Sequence, residues 1–199
     1  MAATLILVRH AAHAHLNKIL SGRTPGVPLS DVGRMQAQRL ARRLAERRPA
    51  LVLTSPIERA EETAIAIADH ARADLERADA LTEIDFGEWT GKRFEELAGD
   101  PAWDRWNRER GAARPPGGEG MGEAQARVVE RLSAAAAARD GETVVLVSHA
   151  DVIRAAVCHV LRLELDGYWR FDVDPASATT LEWEHWGGRL VALNERLGG

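Results

Sequence analysis

Thr4-Leu5-Ile6-Leu7-Val8-Arg9-His10 and Thr143-Val144-Val145-Leu146-Val147-Ser148-His149 decide how this chain is read. Each is a short apolar run with β-branched residues, the pattern of a strand buried on both faces of a parallel sheet. Each stops at a histidine and is followed by a segment that leaves the sheet. Outward from the first run, residues 11–28 are loop-like, with Ser21, Gly22, Pro25, Gly26 and Pro28 as turn punctuation. Val32, Met35, Leu40 and Leu44 then keep helical spacing, which predicts an amphipathic helix from Ser30 to about Arg48, ended by Pro49. Leu51 to Leu53 reads as a second strand. After it, Ser55-Pro56-Ile57-Glu58 spells a capping box with proline in the first helical position, so a helix is predicted from Ser55 to about His70 with Arg59 in its first turn.

Further along, Leu81 to Gly91 reads as a strand end running into a loop, and Asp100 to Arg110 as a short helix anchored by Trp103 and Trp106. Ala112 to Gly122 is a glycine- and proline-rich loop. Glu123 to Arg139 and Val152 to Leu163 read as helices, and Thr179 to Glu184 with Leu190 to Leu193 as a hairpin turned at Trp186-Gly187-Gly188. Strands and helices alternate over most of the length, which implies an α/β fold with helices packed on a largely parallel sheet. No repeat or linker divides the chain. Residues 1–199 are expected to form one domain, with 92–122 as an insertion that sets substrate specificity.

The balance of 26 Lys+Arg against 30 Asp+Glu gives a net charge of −4, and 45% hydrophobic with 28% charged residues is a globular composition. No nucleic acid partner is expected, since coating one requires a basic face that displaces counterions. The single cysteine, Cys158, allows no internal disulfide and fits a reducing cytoplasm. The apolar run Leu5 to Val8 is too short for a signal peptide or a membrane span, so no membrane association is expected. Lys18 and Lys92 are the only lysines among the 26 basic residues, so an arginine here says little until its position supports it.

Position supports two of them. In open α/β sheets the ligand crevice lies at the carboxyl ends of the strands, where both His10 and His149 fall. Arg9 is beside His10, and Arg59 lies at a helix N-terminus facing the same end, where amide groups and dipole also favour an anion. Such a cup suits a phosphoryl dianion, because the planar guanidinium fork matches its oxygens two at a time. Cationic neighbours also keep an imidazole uncharged and able to attack phosphorus. The leaving alkoxide then needs a proton, which a partly buried carboxylic acid can supply. Spacing does not choose between Glu83 and Asp85, which share a face if their segment is extended.

The ordered blocks Leu7-Val8-Arg9-His10, Ser21-Gly22, Leu29-Ser30-x-x-Gly33, Ser55-Pro56-x-x-Arg59-Ala60-x-x-Thr63-Ala64, Glu83-x-x-Phe86-Gly87-Glu88-x-x-Gly91, Pro116-Gly117-Gly118-Glu119 and Val147-Ser148-His149 resemble the histidine phosphatase superfamily in its phosphoglycerate mutase-like branch. The resemblance covers almost the whole chain. It implies a three-layer α/β/α sandwich with a mostly parallel central sheet, and hydrolysis of a small phosphorylated metabolite through a phosphohistidine. By its pattern His10 is the nucleophile, Arg9, Arg59 and His149 stabilise the transferring phosphoryl group, and Glu83 is the proton donor. Asn17, Ser21, Gly22 and Ala150 fall where the family has further substrate contacts. No metal or other cofactor is implied, because the arginines neutralise the charge. The chain departs from the pattern at Ala11, Ala12-His13 and Asp151, and its spacing to Asn17 is one residue longer.

Three other readings stand beside this one. A phosphoglycerate mutase-type phosphotransferase is second, because the short stretch between Glu83 and the helix near Glu123 leaves little room for a large lid. A metal-dependent hydrolase would use His10, His13, His15 and His149. A catalytically weak family member would bind phosphorylated ligands without turnover. His13, His15, His70, His159 and His185 are otherwise read as structural, and Arg105, Arg108, Arg110 and Arg114 as contacts to an anionic substrate body. The sequence does not fix the oligomeric state, a homodimer being one option.

Overall fold

The computed structural model describes residues 1–196. Six strands form one sheet: β1 (Ala3–Arg9), β2 (Leu51–Thr54), β3 (Asp74–Arg77), β4 (Thr143–Ser148), β5 (Ala178–Glu184) and β6 (Gly187–Glu195), in the order β3-β2-β4-β1-β5-β6. The first four in that order are parallel, while β5 and β6 add antiparallel to the β1 edge. The helices are α1 (Asp31–Ala45), α2 (Glu58–Ala71), α3 (Phe94–Leu97), α4 (Pro101–Arg108), α5 (Met121–Ala138) and α6 (Ala150–Val160).

The apolar runs of β1 and β4 are continuous because both faces are covered. Ile6, Val8, Val145 and Val147 pack in one core with Leu40, Leu44 and Ile67 of α1 and α2. Their alternates Leu5, Leu7, Val144 and Leu146 pack in a second core with Val128 and Leu132 of α5 and Val152 and Ile153 of α6. The two-residue period of a strand divides one sequence between two helical layers. The result is an α/β/α sandwich.

The same division places a crevice. After β1 the chain passes to α1 on one face, and after β4 it passes to α6 on the other. Between two adjacent strands whose connections part in this way, a cleft opens beyond the carboxyl ends. Arg9 is in register with Ser148, and the His10 amide donates to the Ser148 carbonyl at 2.9 Å, so His10 and His149 both begin just past the sheet.

Several expectations need correction. The helix predicted from Ser55 begins at Glu58, its N-cap position is Ile57, and no side chain caps it. The Ser55 hydroxyl is engaged instead with the His149 ring. Leu81 to Gly91 is not a strand end; it runs from the last residue of a 3-10 turn at Asp79–Leu81 through irregular backbone into a second at Gly87–Trp89. The last parallel helix starts at Ala150, two residues before its predicted start. Strand β3 and helix α3 were not predicted. All four residues of β3 are exposed, so the edge strand carries no apolar alternation to read.

The 3-10 turn after Glu83 is locked from across the molecule. Gly87 has φ +51, and a β-carbon there would lie 2.1 Å from the Pro116 carbonyl oxygen, so only glycine fits. The Glu88 amide donates to Pro116 and the Glu119 amide to the Asp85 carbonyl. Two of the sequence blocks thus meet as one clasp.

Candidate active site

His10 and His149 are both buried, with ring centroids 5.1 Å apart. Between them reaches Arg59 from the start of α2, only 2% exposed. Its Nε donates to His10 Nε2 at 3.2 Å, and one terminal nitrogen donates to the Gly22 carbonyl at 2.8 Å and to His149 Nδ1 at 3.3 Å. Guanidinium has no acceptor, so these contacts fix both tautomers. His10 carries its proton on Nδ1, which donates to the Ala11 carbonyl at 2.8 Å and leaves the Nε2 lone pair facing the cleft cation. His149 carries its proton on Nε2 and donates it to Ser55 Oγ at 2.8 Å.

The charge states follow from burial and neighbours. Burial, then Arg59 and Arg9, hold the His10 imidazole well below its ordinary value. Burial, then Arg59 and His10, do the same to His149. Both rings are therefore uncharged at neutral pH. Glu83 lies opposite, its Oε2 4.0 Å from His149 Nδ1 and its Oε1 accepting from the Ile84 amide at 2.9 Å. Burial, with Asp151 adding to it and Arg59 opposing, pushes the Glu83 carboxyl up to about 7. Asp85 faces elsewhere: it accepts from the Gly87 amide at 2.9 Å and lies 3.7 Å from Arg23. Of the two carboxylates that spacing left open, Glu83 lines the cleft and Asp85 does not.

Around this centre lies a cleft of about 130 Å³ whose wall includes Arg9, Asn17, Ser21, Gly22 and Ala150. Arg9 donates to the Val173 carbonyl at 2.7 Å, which leaves its buried Nε without a partner; Arg59 likewise has one terminal nitrogen buried and unpartnered. Asn17 is exposed on the rim in a left-handed conformation, φ +59. Ala150 opens α6, an 11-residue helix whose free amides face this end of the sheet.

Some residues lie at the cleft that sequence reasoning missed or placed otherwise. His13, read as structural, lines the cleft with its ring 5.2 Å from His10. Burial, then Arg59 and His15, lower it to about 4, so it too is neutral. His15 stays structural in its contact, Nδ1 to Ser21 Oγ at 3.2 Å. Ser55, read as a cap, is fully buried against His149. Beneath Glu83, Arg23 donates to the Glu83 carbonyl at 2.8 Å and to Glu119 at 2.9 Å, while Arg127 grips Glu119 with two nitrogens at 2.7 and 2.9 Å. No residue pattern short of the Pro116-Gly117-Gly118-Glu119 block signals that support.

The four arginines offered as substrate contacts do not line the cleft. Arg105 pairs with Glu109, Arg114 with Glu123, and Arg108 is exposed at the end of α4. Arg110 is buried, pairs with Asp151 at 2.9 Å and stacks on Trp106 and Tyr168. Asp151 does line the cleft, and although burial works against its charge, Arg110 holds its carboxyl below the ordinary range. Among the described residues no group of three His, Cys, Asp or Glu side chains is arranged to hold a metal ion. Nor is any helix there long and apolar enough to cross a membrane.

Comparison with known proteins agrees with this geometry. The chain is 33% identical over 195 residues to phosphoserine phosphatase 1 of Hydrogenobacter thermophilus, covering 96% of this chain and 91% of that one. It superposes on the mycobacterial glucosyl-3-phosphoglycerate phosphatase with a TM-score of 0.87 at 25% identity, covering 98% and 99% of the two chains. A mutant phosphoserine phosphatase of Entamoeba histolytica in complex with phosphoserine gives 0.86 at 26% identity, covering 98% of each. The family model of the histidine phosphatase superfamily, branch 1, matches residues 5–196, and the chain belongs to that superfamily.

Proposed function

We propose that the protein is a phosphomonoester hydrolase of the histidine phosphatase type, acting on a small phosphorylated metabolite through a phosphohistidine on His10. The observation that carries the reading is that Arg9 and Arg59 on the cleft wall each keep a buried, unpartnered guanidinium nitrogen beside an uncharged imidazole whose lone pair faces Arg59. Orphaned buried donors are costly, and a dianion satisfies them. The relatives named as phosphatases support hydrolysis over return of the phosphoryl group to a second substrate hydroxyl.

In this reading the phosphoryl oxygens take over the donors of Arg59 that hold the two imidazoles, together with the free Nε of Arg9. His10 Nε2 attacks phosphorus in line, and its Nδ1 proton, held by the Ala11 carbonyl, stabilises the ring as it acquires charge. Fixed donors then face the equatorial oxygens, where charge gathers in the transition state. Glu83, protonated in part at neutral pH, gives its proton to the leaving alkoxide. The resulting carboxylate next takes a proton from water, which attacks the phosphohistidine and releases phosphate. Asn17, Ser21, Gly22, His149 and Ala150 complete the substrate contacts. A cytoplasmic setting belongs to the same proposal, supported by the lone, buried Cys158.

Replacing His10 by alanine tests it. Wild-type protein quenched during turnover of a radiolabelled ester is expected to retain an acid-labile, base-stable phosphoenzyme. The variant should form none and lose turnover while keeping its circular dichroism spectrum. Retention of most of the activity by folded His10→Ala protein overturns the assignment.

A further inference from the structure

We propose that the substrate carries a single anionic group, its phosphate, on an uncharged and partly apolar alcohol, so that carboxylated esters such as phosphoglycerates, and bisphosphates, are poor substrates. This rests on the phosphatase reading and adds the class of leaving group to it.

The charge on the cleft wall carries the argument. Among the described residues its cations are Arg9 and Arg59, since the lining imidazoles of His10 and His13 are uncharged at neutral pH. Two guanidinium groups match one phosphoryl dianion and leave nothing over for a second anion. The other lining charges are the acids Glu83 and Asp151. Beyond the phosphoryl cup the wall is uncharged, with Leu16, Ile19, Leu20, Phe86 and Phe94 interrupted by Asn17 and Ser21.

Of the arginines nearby, Arg110 and Arg23 are already engaged, and Arg154 lies 3.6 Å from Asp151. Arg110 is the most telling, because it is the cation of the 92–122 segment tied to the cleft: it is clamped between the rings of Trp106 and Tyr168 at 4.4 and 4.1 Å and donates to Asp151. Arg23 is held by the Glu83 carbonyl and Glu119. A carboxylate on the substrate body would thus meet no free cation on the wall, only the polar side chains of Asn17 and Ser21, and would approach Asp151. Burying an unpaired charge is unfavourable, and like charges brought together discriminate against the wrong ligand. An apolar or aromatic alcohol instead covers Phe86 and Phe94 at no such cost.

A matched pair of esters isolates the effect. Benzyl phosphate and 4-carboxybenzyl phosphate differ only by the distal carboxylate. Wild-type kcat/KM is expected to favour benzyl phosphate by about tenfold or more, a modest discrimination for an unpaired charge. Asp151→Asn should narrow that ratio by improving the carboxylated ester. Equal rates, or a preference for the carboxylated ester, overturn the inference, as does a ratio unchanged in Asp151→Asn. Calorimetric affinities of both esters for His10→Ala protein give the same ranking without turnover. If wild type hydrolyses neither ester, the phosphatase reading fails, and the affinity ranking still decides this one.

Discussion

Changing Glu83 to glutamine keeps the shape of the side chain and removes its titratable proton. The buried site raises this carboxyl from 4.5 to about 7. At pH 7 roughly half of it is protonated, where an ordinary glutamate would be protonated to about 0.3%, a gain of about 150-fold in available acid. A positioned general acid contributes about 10²- to 10⁴-fold. The loss of kcat/KM in Glu83→Gln should fall in that range for an alkyl phosphate, whose alkoxide cannot leave unprotonated. For 4-nitrophenyl phosphate, whose phenolate leaves without help, the loss should be about tenfold or less. For wild type, kcat/KM should rise through about pH 6 with the second ionisation of the ester and fall above about pH 7 as Glu83 ionises. The variant should lack the alkaline limb. Stability moves the other way. A carboxyl whose folded value is raised stabilises the native state below its unfolded value of 4.5, and that contribution is lost as pH rises through about 7. At pH 8 the variant should therefore be the more stable protein, by up to about 3 kcal/mol in calorimetry. Equal losses for both leaving groups, or an alkaline limb that survives the substitution, would refute the assignment of Glu83 as the acid.

Two further substitutions probe the supports of the site. Ser55→Ala removes the acceptor of His149 Nε2 at 2.8 Å and of the Ile57 amide at 3.3 Å, leaving a buried N–H unpaired. We expect a loss of about 1–3 kcal/mol in denaturant unfolding and a fall in kcat/KM shared by alkyl and aryl esters, unlike the leaving-group dependence of Glu83→Gln. Gly87→Ala forces a side chain into a positive-φ position against the Pro116 carbonyl, so at least about 1–3 kcal/mol should be lost, read as a lower melting temperature. A variant melting with wild type would show that the clasp is looser than its geometry.

The sheet and the centre of the site were legible because each announced itself twice. β1 and β4 are apolar without alternation and both run into a histidine, so burial on two faces and placement at a strand end could be read together. Arg59 was legible through its helix start, although the start itself was misplaced. Ser55-Pro56-Ile57-Glu58 satisfies a local rule for capping, and the long-range bond to His149 overrode it, a contact that no window of sequence contains. His13 was read as structural because no partner could be named for it; its proximity to His10 comes from the path of the loop after β1. Of Arg105, Arg108, Arg110 and Arg114, none of which lines the cleft, three are held away from it for an electrostatic reason. In so arginine-rich a chain the acids Glu109, Glu123 and Asp151 had already claimed three of them.

The clasp at Gly87 and Pro116 also bears on how such a protein can diversify. It fastens the two ends of the intervening stretch to each other, and Glu119, gripped by Arg23 and Arg127, anchors them to the body of the molecule. Chain between those ends can lengthen, shorten or change its contents without pulling on the backbone that presents the acid. On the proposed reading, with Glu83 as the acid, changes in that stretch leave the proton-transfer geometry where it was.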